Sequence, residues 1–196
     1  VGAPMLATEV KIAADGEILV RGDLVMQGYW NNQEATAEAI QDGWLHTGDI
    51  GKFDEDGHLL ITDRKKDIIV NSGGDTLSPQ RVEGFLTVEP EISQAMVYGD
   101  KRPHLVALIV PEAEFAKDWC AAQGRQAELS ELVEDDDFRR AVSEAIDRVN
   151  GELSNIEKVR RFKLIAEPFT IDNEMMTPSL KVRRHKVMEK YGDAVI

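Results

Sequence analysis

Leu59-Leu60-Ile61-Thr62-Asp63-Arg64-Lys65-Lys66-Asp67-Ile68-Ile69-Val70-Asn71-Ser72-Gly73-Gly74 is the stretch in which the character of the chain changes. An apolar strand runs into the charged group Arg64-Lys65-Lys66, and a second short strand leaves it and stops at paired glycines. Upstream, the sequence reads as β structure. Residues 8–12 and 17–21 alternate apolar and polar side chains about Asp15-Gly16, a strong hairpin signal. Gly51-Lys52-Phe53 and residues 58–62 suggest another hairpin about Asp54-Glu55-Asp56-Gly57, with a short helix over 32–40 between the two.

Downstream, strands alternate with helices. Residues 67–70 form a strand that ends at Asn71-Ser72-Gly73-Gly74, and Ser78-Pro79 supplies an N-cap and a first-turn proline. Val82, Phe85 and Leu86 then line one helical face. Residues 92–98 and 104–110 read as paired strands, followed by helices over 111–123 and 137–153. The second helix carries Phe138, Val142, Ile146, Val149 and Leu153 at helical spacing, behind Asp135-Asp136-Asp137, which suits the positive end of its dipole. A last strand over 161–165, an extended loop over 170–180 and a closing helix over 183–191 complete the pattern. The expected fold class is α+β: a small mixed αβ lobe, a short sheet flanked by helices, over residues 66–196, preceded by a β-rich remnant of a larger domain over 1–65.

Composition sets limits on function. The 196 residues are 42% hydrophobic and 30% charged, ordinary for a globular protein, and the apolar runs fall short of the roughly 20 residues a membrane span needs. Val1-Gly2-Ala3-Pro4 has no initiator Met and no signal-peptide pattern, so it reads as an internal start. The single cysteine, Cys120, excludes an internal disulfide and reads as an inert, half-buried thiol. A reducing cytoplasm, or the periphery of a membrane facing it, is the expected location. Net charge of −13 argues against a nucleic-acid partner. Residues 158–190 nevertheless hold nine Lys or Arg against four acids, so that window is +5 and the remainder −18. It is either a solvated basic face or a landing site for a polyphosphate.

Four short motifs carry candidate chemistry. In Gly43-Trp44-Leu45-His46-Thr47-Gly48-Asp49, an aspartate fixed after a glycine turn either bonds its own backbone or accepts two hydrogen bonds from a vicinal diol, as carboxylates do with ribose. In Thr62-Asp63-Arg64-Lys65-Lys66-Asp67, Arg64 either lies in a solvated connection or presents its planar fork to ribose or phosphate oxygens. Gly73-Gly74 marks a tight turn or a backbone that a ligand approaches closely. In Thr177-Pro178-Ser179-Leu180-Lys181, a lysine ends the extended loop. No Gly-x-Ser-x-Gly elbow is present, the four histidines lack zinc spacing, and the calcium-loop echo at 52–57 begins with a lysine. No metal ligands are therefore expected.

Order and spacing bring these motifs together. With Gly28-Tyr29-Trp30 and Glu34-Ala35-Thr36 upstream, the chain from about Gly16 to His185 resembles the adenylate-forming superfamily of acyl-CoA synthetases, firefly-luciferase-like enzymes and peptide-synthetase adenylation domains. The pairing of Gly-Trp-Leu-His-Thr-Gly-Asp with Asp-Arg-Lys-Lys-Asp, and the ending Thr-Pro-Ser-Leu-Lys-Val-Arg-Arg, are most similar to long-chain fatty acid CoA ligases. Asp75-Thr76-Leu77 departs from the family's usual acid-Asn-aliphatic run, and Ser179 stands where threonine often does.

The resemblance implies a set of roles. Asp49 would hold the ribose hydroxyls and Arg64 the same nucleotide. Lys66 would be the hinge, Lys181 the adenylation lysine, and Gly73 and Gly74 the loop beside the CoA channel. ATP, Mg²⁺, CoA and a fatty acid would serve the intact enzyme, with the missing N-terminal domain as the main partner of this piece. The piece alone would bind none of them tightly and would be inactive, and its cut sheet edges could pair into a non-native dimer. Two rival readings remain: another acid (medium-chain or aryl) or a carrier-protein acceptor, and a non-catalytic module using the basic face to bind anions.

Overall fold

Asp15-Gly16 closes the predicted hairpin: β1 (Thr8–Ile12) and β2 (Glu17–Gly22) run antiparallel with Ile12 opposite Ile18. In this computed structural model, which describes the backbone of residues 1–195 and the side-chain surroundings of residues 1–192, the chain forms two compact units, Val1–Ile68 and Ile69–Ile196.

The first unit continues with α1 (Gln33–Ala39), β3 (Ile40–Gln41), β4 (Trp44–Phe53) and β5 (Leu59–Arg64). Asn32 caps α1 by accepting the Ala35 N–H at 3.0 Å, the role its side chain favours. All the strands join one antiparallel sheet organised around β4. One side of β4 pairs with β2, and the other is shared between β3 at Trp44–Leu45 and β5 at Asp49–Phe53. The sequence suggests a strand only over 51–53. The strand extends back to Trp44 because neighbours on both sides supply partners for its backbone groups, which local propensity does not register. Two steps along β2, from Glu17 to Leu19, face four along β4, from His46 to Ile50. Thr47-Gly48-Asp49 therefore bows out of register as a bulge, with Gly48 at φ +71°.

The second unit runs through β6 (Ile69–Val70), β7 (Thr76–Leu77), α2 (Pro79–Leu86), β8 (Ile92–Tyr98), β9 (Leu105–Pro111), α3 (Ala113–Ala122), α4 (Leu129–Leu132), α5 (Asp136–Glu152), β10 (Val159–Leu164) and α6 (Arg184–Val195). Strand order is β10-β9-β8, with β9 antiparallel to β8 and parallel to β10. All seven residues of β9 are buried, so both faces of the sheet are covered. Successive strand side chains point to opposite faces. Leu105, Ala107 and Ile109 accordingly join a core with Val82 and Leu86 of α2, Ala116 and Cys120 of α3, and Phe138, Val142, Ile146 and Val149 of α5. Val106, Leu108 and Val110 join a second core with Phe169, Met175 and Val187 of α6. Each such apolar side chain contributes on the order of 1.5–3 kcal/mol on burial. Two elements of this unit lie outside the sequence reading: β7, which pairs with β6, and α4, a single turn closed by a capping box between Glu128 and Glu131. No helix among the described residues is long and apolar enough to cross a membrane.

β8 is an edge strand, and its exposed backbone is sealed by an ion pair. Glu83 of α2 accepts the Val97 N–H at 2.7 Å, while Arg184 at the start of α6 donates to the Val97 carbonyl at 2.8 Å and to both Glu83 oxygens at 2.7 Å. The pair thus ties a helix from each face around the open edge of the sheet. Glu83→Ala leaves an edge amide and a largely buried guanidinium without their acceptor, and is expected to cost about 2–3 kcal/mol. A lower urea midpoint together with faster hydrogen exchange at Val97 checks this, and unchanged exchange there refutes the seal.

Candidate functional site

Glu17 begins a strand whose next three residues are apolar, and it is only 3% exposed. A carboxylate buried this far needs donors, and it finds three. Its Oε1 accepts the Gly48 N–H at 3.0 Å, and its Oε2 accepts from Lys65 Nζ at 2.8 Å and His46 Nδ1 at 2.9 Å. Burial pushes the Glu17 carboxyl up, but Lys65, His46 and the Gly48 amide outweigh it and hold the group below the usual glutamate value. Lys65 is raised in turn, first by Asp15, whose Oδ2 lies 2.7 Å from Nζ, and then by Glu17. The Lys65 N–H also donates to the Gly48 carbonyl at 2.8 Å. Thr47 completes the bulge: its hydroxyl donates to the Ile18 carbonyl at 2.7 Å and accepts the Asp49 N–H at 3.1 Å.

This scaffold presents Asp49 and Arg64 as direct cross-strand partners. Arg64 Nε stands 2.8 Å from Asp49 Oδ1, within ion-pair distance, yet Oδ1 is shielded from solvent and accepts no aligned hydrogen bond. The neighbouring Asp63, 6% exposed, takes the Arg64 N–H at 2.7 Å on one oxygen and leaves its other oxygen buried and unfilled. An unfilled buried acceptor costs about 1–3 kcal/mol. The Asp49 side chain stays partly exposed beside the exposed Arg64 guanidinium, where a hydroxyl donor from a polar ligand can meet it. Lys66 follows in an exposed turn closed by the Asp67 N–H on the Arg64 carbonyl at 2.9 Å.

The remaining candidates lie in the second unit. Gly73 and Gly74 form the tip of the β6–β7 hairpin. Asn71 Oδ1 accepts the Gly73 and Asp75 amides, each at 2.9 Å, and Gly74 adopts φ +86°, which explains its glycine. Gly73 has no positive φ, and a Cβ there would sit 3.2 Å from Asn71 Oδ1. Lys181 does not end an extended loop as the sequence suggests. Residues 177–181 close on themselves: the Thr177 N–H donates to the Lys181 carbonyl, the Leu180 N–H to the Thr177 carbonyl, and the Lys181 N–H to Thr177 Oγ1 at 3.1 Å. Leu180 pays for the closure with φ +58°, a left-handed conformation that costs an L-residue about 1–2 kcal/mol. Lys181 is exposed, and its ammonium makes no ion pair or hydrogen bond among the described residues.

The two loops belong to opposite faces of the same sheet. Ile69 and Leu77, which anchor the Gly73-Gly74 hairpin, pack into the core shared with α2. Met175, Met176 and Val182, which flank the Lys181 loop, pack into the core shared with α6. Asp54, Asp56 and His58 offer ligand atoms within 4.8 Å of one another, but Asp54 Oδ1 already closes the hairpin turn through the Asp56 and His58 amides. Sequence reasoning missed Glu17, His46, Lys65 and Asp63. The one signal for Glu17 was an acid heading an otherwise apolar strand.

Comparison with known proteins places these features in context. Residues 66–196 match the AMP-binding enzyme C-terminal domain family. The whole chain is 42% identical to a long-chain-fatty-acid–CoA ligase of Mycobacterium tuberculosis and covers 33% of that protein, so it spans about a third of the curated relatives it matches. Among solved structures, O-succinylbenzoate Coenzyme A synthetase from Bacillus subtilis, in complex with ATP and magnesium ion, is 27% identical with a TM-score of 0.62; 94% of this chain matches 34% of that one. The A-PCP didomain of carboxylic acid reductase from Segniliparus rugosus, in complex with AMP, shares the fold at a TM-score of 0.79 and 23% identity, with 98% of this chain on 27% of that one.

Because the Glu17 carboxyl is held low, its stabilising contribution is complete above its unfolded value of 4.5 and fades as pH falls through the lowered native value. Glu17→Gln is expected to flatten this acid-side loss. Urea midpoints of the two chains at pH 7 and at pH 3–4 check it: the wild-type advantage should shrink on acidification.

Proposed function

The chain belongs to the AMP-binding enzyme C-terminal domain family, and on that premise we propose that it is the C-terminal portion of an ATP-dependent, AMP-forming long-chain fatty acid CoA ligase. Residues 1–65 are then the end of the large N-terminal domain and residues 66–196 its mobile C-terminal lobe. The names of the curated relatives support the acid and the acceptor. The observation that carries the two-step chemistry is the placement of the Gly73-Gly74 hairpin and the Lys181 loop on opposite faces of one sheet.

In the first step a carboxylate oxygen of the fatty acid bonds to the α-phosphorus of ATP, and the bond to the pyrophosphate oxygen breaks. Two anions meet, and negative charge gathers on the phosphoryl oxygens. Lys181, exposed and without a partner among the described residues, is free to bring an ammonium to them. A donor placed where charge develops is commonly worth a few kcal/mol. Asp49 accepts from the ribose hydroxyls through the part of its side chain that stays exposed beside Arg64, and Arg64 steadies the same nucleotide. The magnesium ion that accompanies ATP supplies charge neutralisation for the departing pyrophosphate; no residue of this chain is assigned to it.

In the second step the thiol sulfur of CoA, losing its proton, bonds to the acyl carbonyl carbon, and AMP leaves. This step needs an open path to the carbonyl and no ammonium at phosphorus. Turning the lobe about Lys66 withdraws the Lys181 face and brings up the Gly73-Gly74 face. The exposed turn at Lys66 suits such a pivot, since few contacts must break when its torsions change.

In the full-length enzyme, Lys181→Ala is expected to lower ATP–pyrophosphate exchange by about 100-fold or more. Thioester formation from preformed acyl-AMP should change by no more than a few-fold. Equal loss of both half-reactions, or of neither, overturns the assignment. Lys66→Pro is expected to do the reverse, sparing exchange and depressing thioester formation, as measured by the same pair of assays.

A further inference from the structure

Asp49 and Arg64 face each other across β4 and β5, but neither strand alone fixes their alignment. Each sits at an irregularity: Asp49 ends the bulge centred on Gly48, and Arg64 is the last residue of its strand. A bulge glycine with no atom within 4 Å of where a Cβ would lie has room to shift. Both irregularities are pinned by one side chain. Glu17 takes the amide of Gly48, the residue before Asp49, and the ammonium of Lys65, the residue after Arg64. The Lys65 amide then closes the circuit on the Gly48 carbonyl at 2.8 Å. His46, at the start of the bulge, occupies a further lone pair of the same carboxylate. A buried acid serving only to fill the sheet has no reason to gather its three donors from the two segments that flank one candidate pair.

We infer that Glu17 is the positioning residue of the ribose site: through Gly48 and Lys65 it sets Asp49 and Arg64 at the spacing that grips the sugar hydroxyls of ATP. Glu17 itself does not touch the nucleotide. The inference rests on the proposed role of Asp49, and it adds a specific consequence. Weakening Glu17 removes discrimination at the sugar, where a general loss of folding or of lobe movement weakens every nucleotide alike.

The test compares, in the full-length enzyme, kcat/KM for ATP with kcat/KM for 2′-deoxy-ATP and 3′-deoxy-ATP. Asp49→Ala should collapse the preference for ATP. Glu17→Gln should shrink it by about tenfold, the effect of one charge-assisted hydrogen bond, chiefly through KM for ATP, with KM for the fatty acid and for CoA unchanged. The double variant should match Asp49→Ala alone, since two residues acting through one contact do not add. Lys65→Met, an exposed side chain on the same circuit, should shrink the preference in the same direction and decides the matter if Glu17→Gln does not fold. If Glu17→Gln and Lys65→Met lower all three nucleotides equally, or if Glu17→Gln further erodes the preference in the Asp49→Ala background, Glu17 is a structural acid and the inference falls while the Asp49 role stands. If Asp49→Ala leaves the preference intact, the ribose-site reading fails first and the inference with it.

Discussion

A central strand with no solvent-facing side is the constraint from which the second unit follows. Every residue of β9 is buried, so its alternating side chains must be covered from both sides, and the short sheet acquires two separate apolar cores. One core takes α2, α3 and α5; the other takes α6 and the segment around Phe169 and Met175. A lobe covered this way has two surfaces of different chemistry, each carrying a loop that its own core holds in place. The Glu83–Arg184 pair adds the connection between them at the β8 edge. An edge strand left open would be a template for association; here it becomes the point where the two helical layers are joined.

The first unit depends on a buried charge. Taking a carboxylate out of water is unfavourable unless its lone pairs are filled, and Glu17 is filled by three donors drawn from the β4 bulge and the end of β5. The same contacts that make the burial tolerable dictate the path of the chain through Thr47-Gly48-Asp49. Beside them, Asp49 and Asp63 each keep a buried oxygen without an aligned donor. A well-filled acid thus stands beside two that are incompletely filled.

The two loops of the second unit are shaped before any ligand arrives. Gly74 and Leu180 both adopt left-handed backbone, and each loop is closed by a side chain that accepts or donates within it, Asn71 in one and Thr177 in the other. Leu180 is the costlier choice, because it carries a Cβ that crowds the backbone carbonyl in that conformation and Gly74 does not. The strain is held by the flanking contacts of Met176 and Val182 with the second core. A lysine carried on a loop that is already shaped loses little entropy when it meets a ligand.

Much of this was written in the sequence. The period-two alternation about Asp15-Gly16, the Ser78-Pro79 helix start, the apolar run of β9 and the spacing on α5 are local signals, and each yields the element it specifies because near neighbours along the chain generate it. The candidate residues Asp49, Arg64, Lys66, Gly73, Gly74 and Lys181 were legible as motifs for the same reason. What the sequence did not contain was partnership at long range. β4 extends to Trp44 only because three other strands pair with it, and β7 exists only opposite β6. Glu17 gathers donors 29, 31 and 48 residues away, and Arg184 meets Glu83 across 101. Pairing and burial are properties of the folded chain, so the residues that hold the site in place became visible only when tertiary structure brought them together.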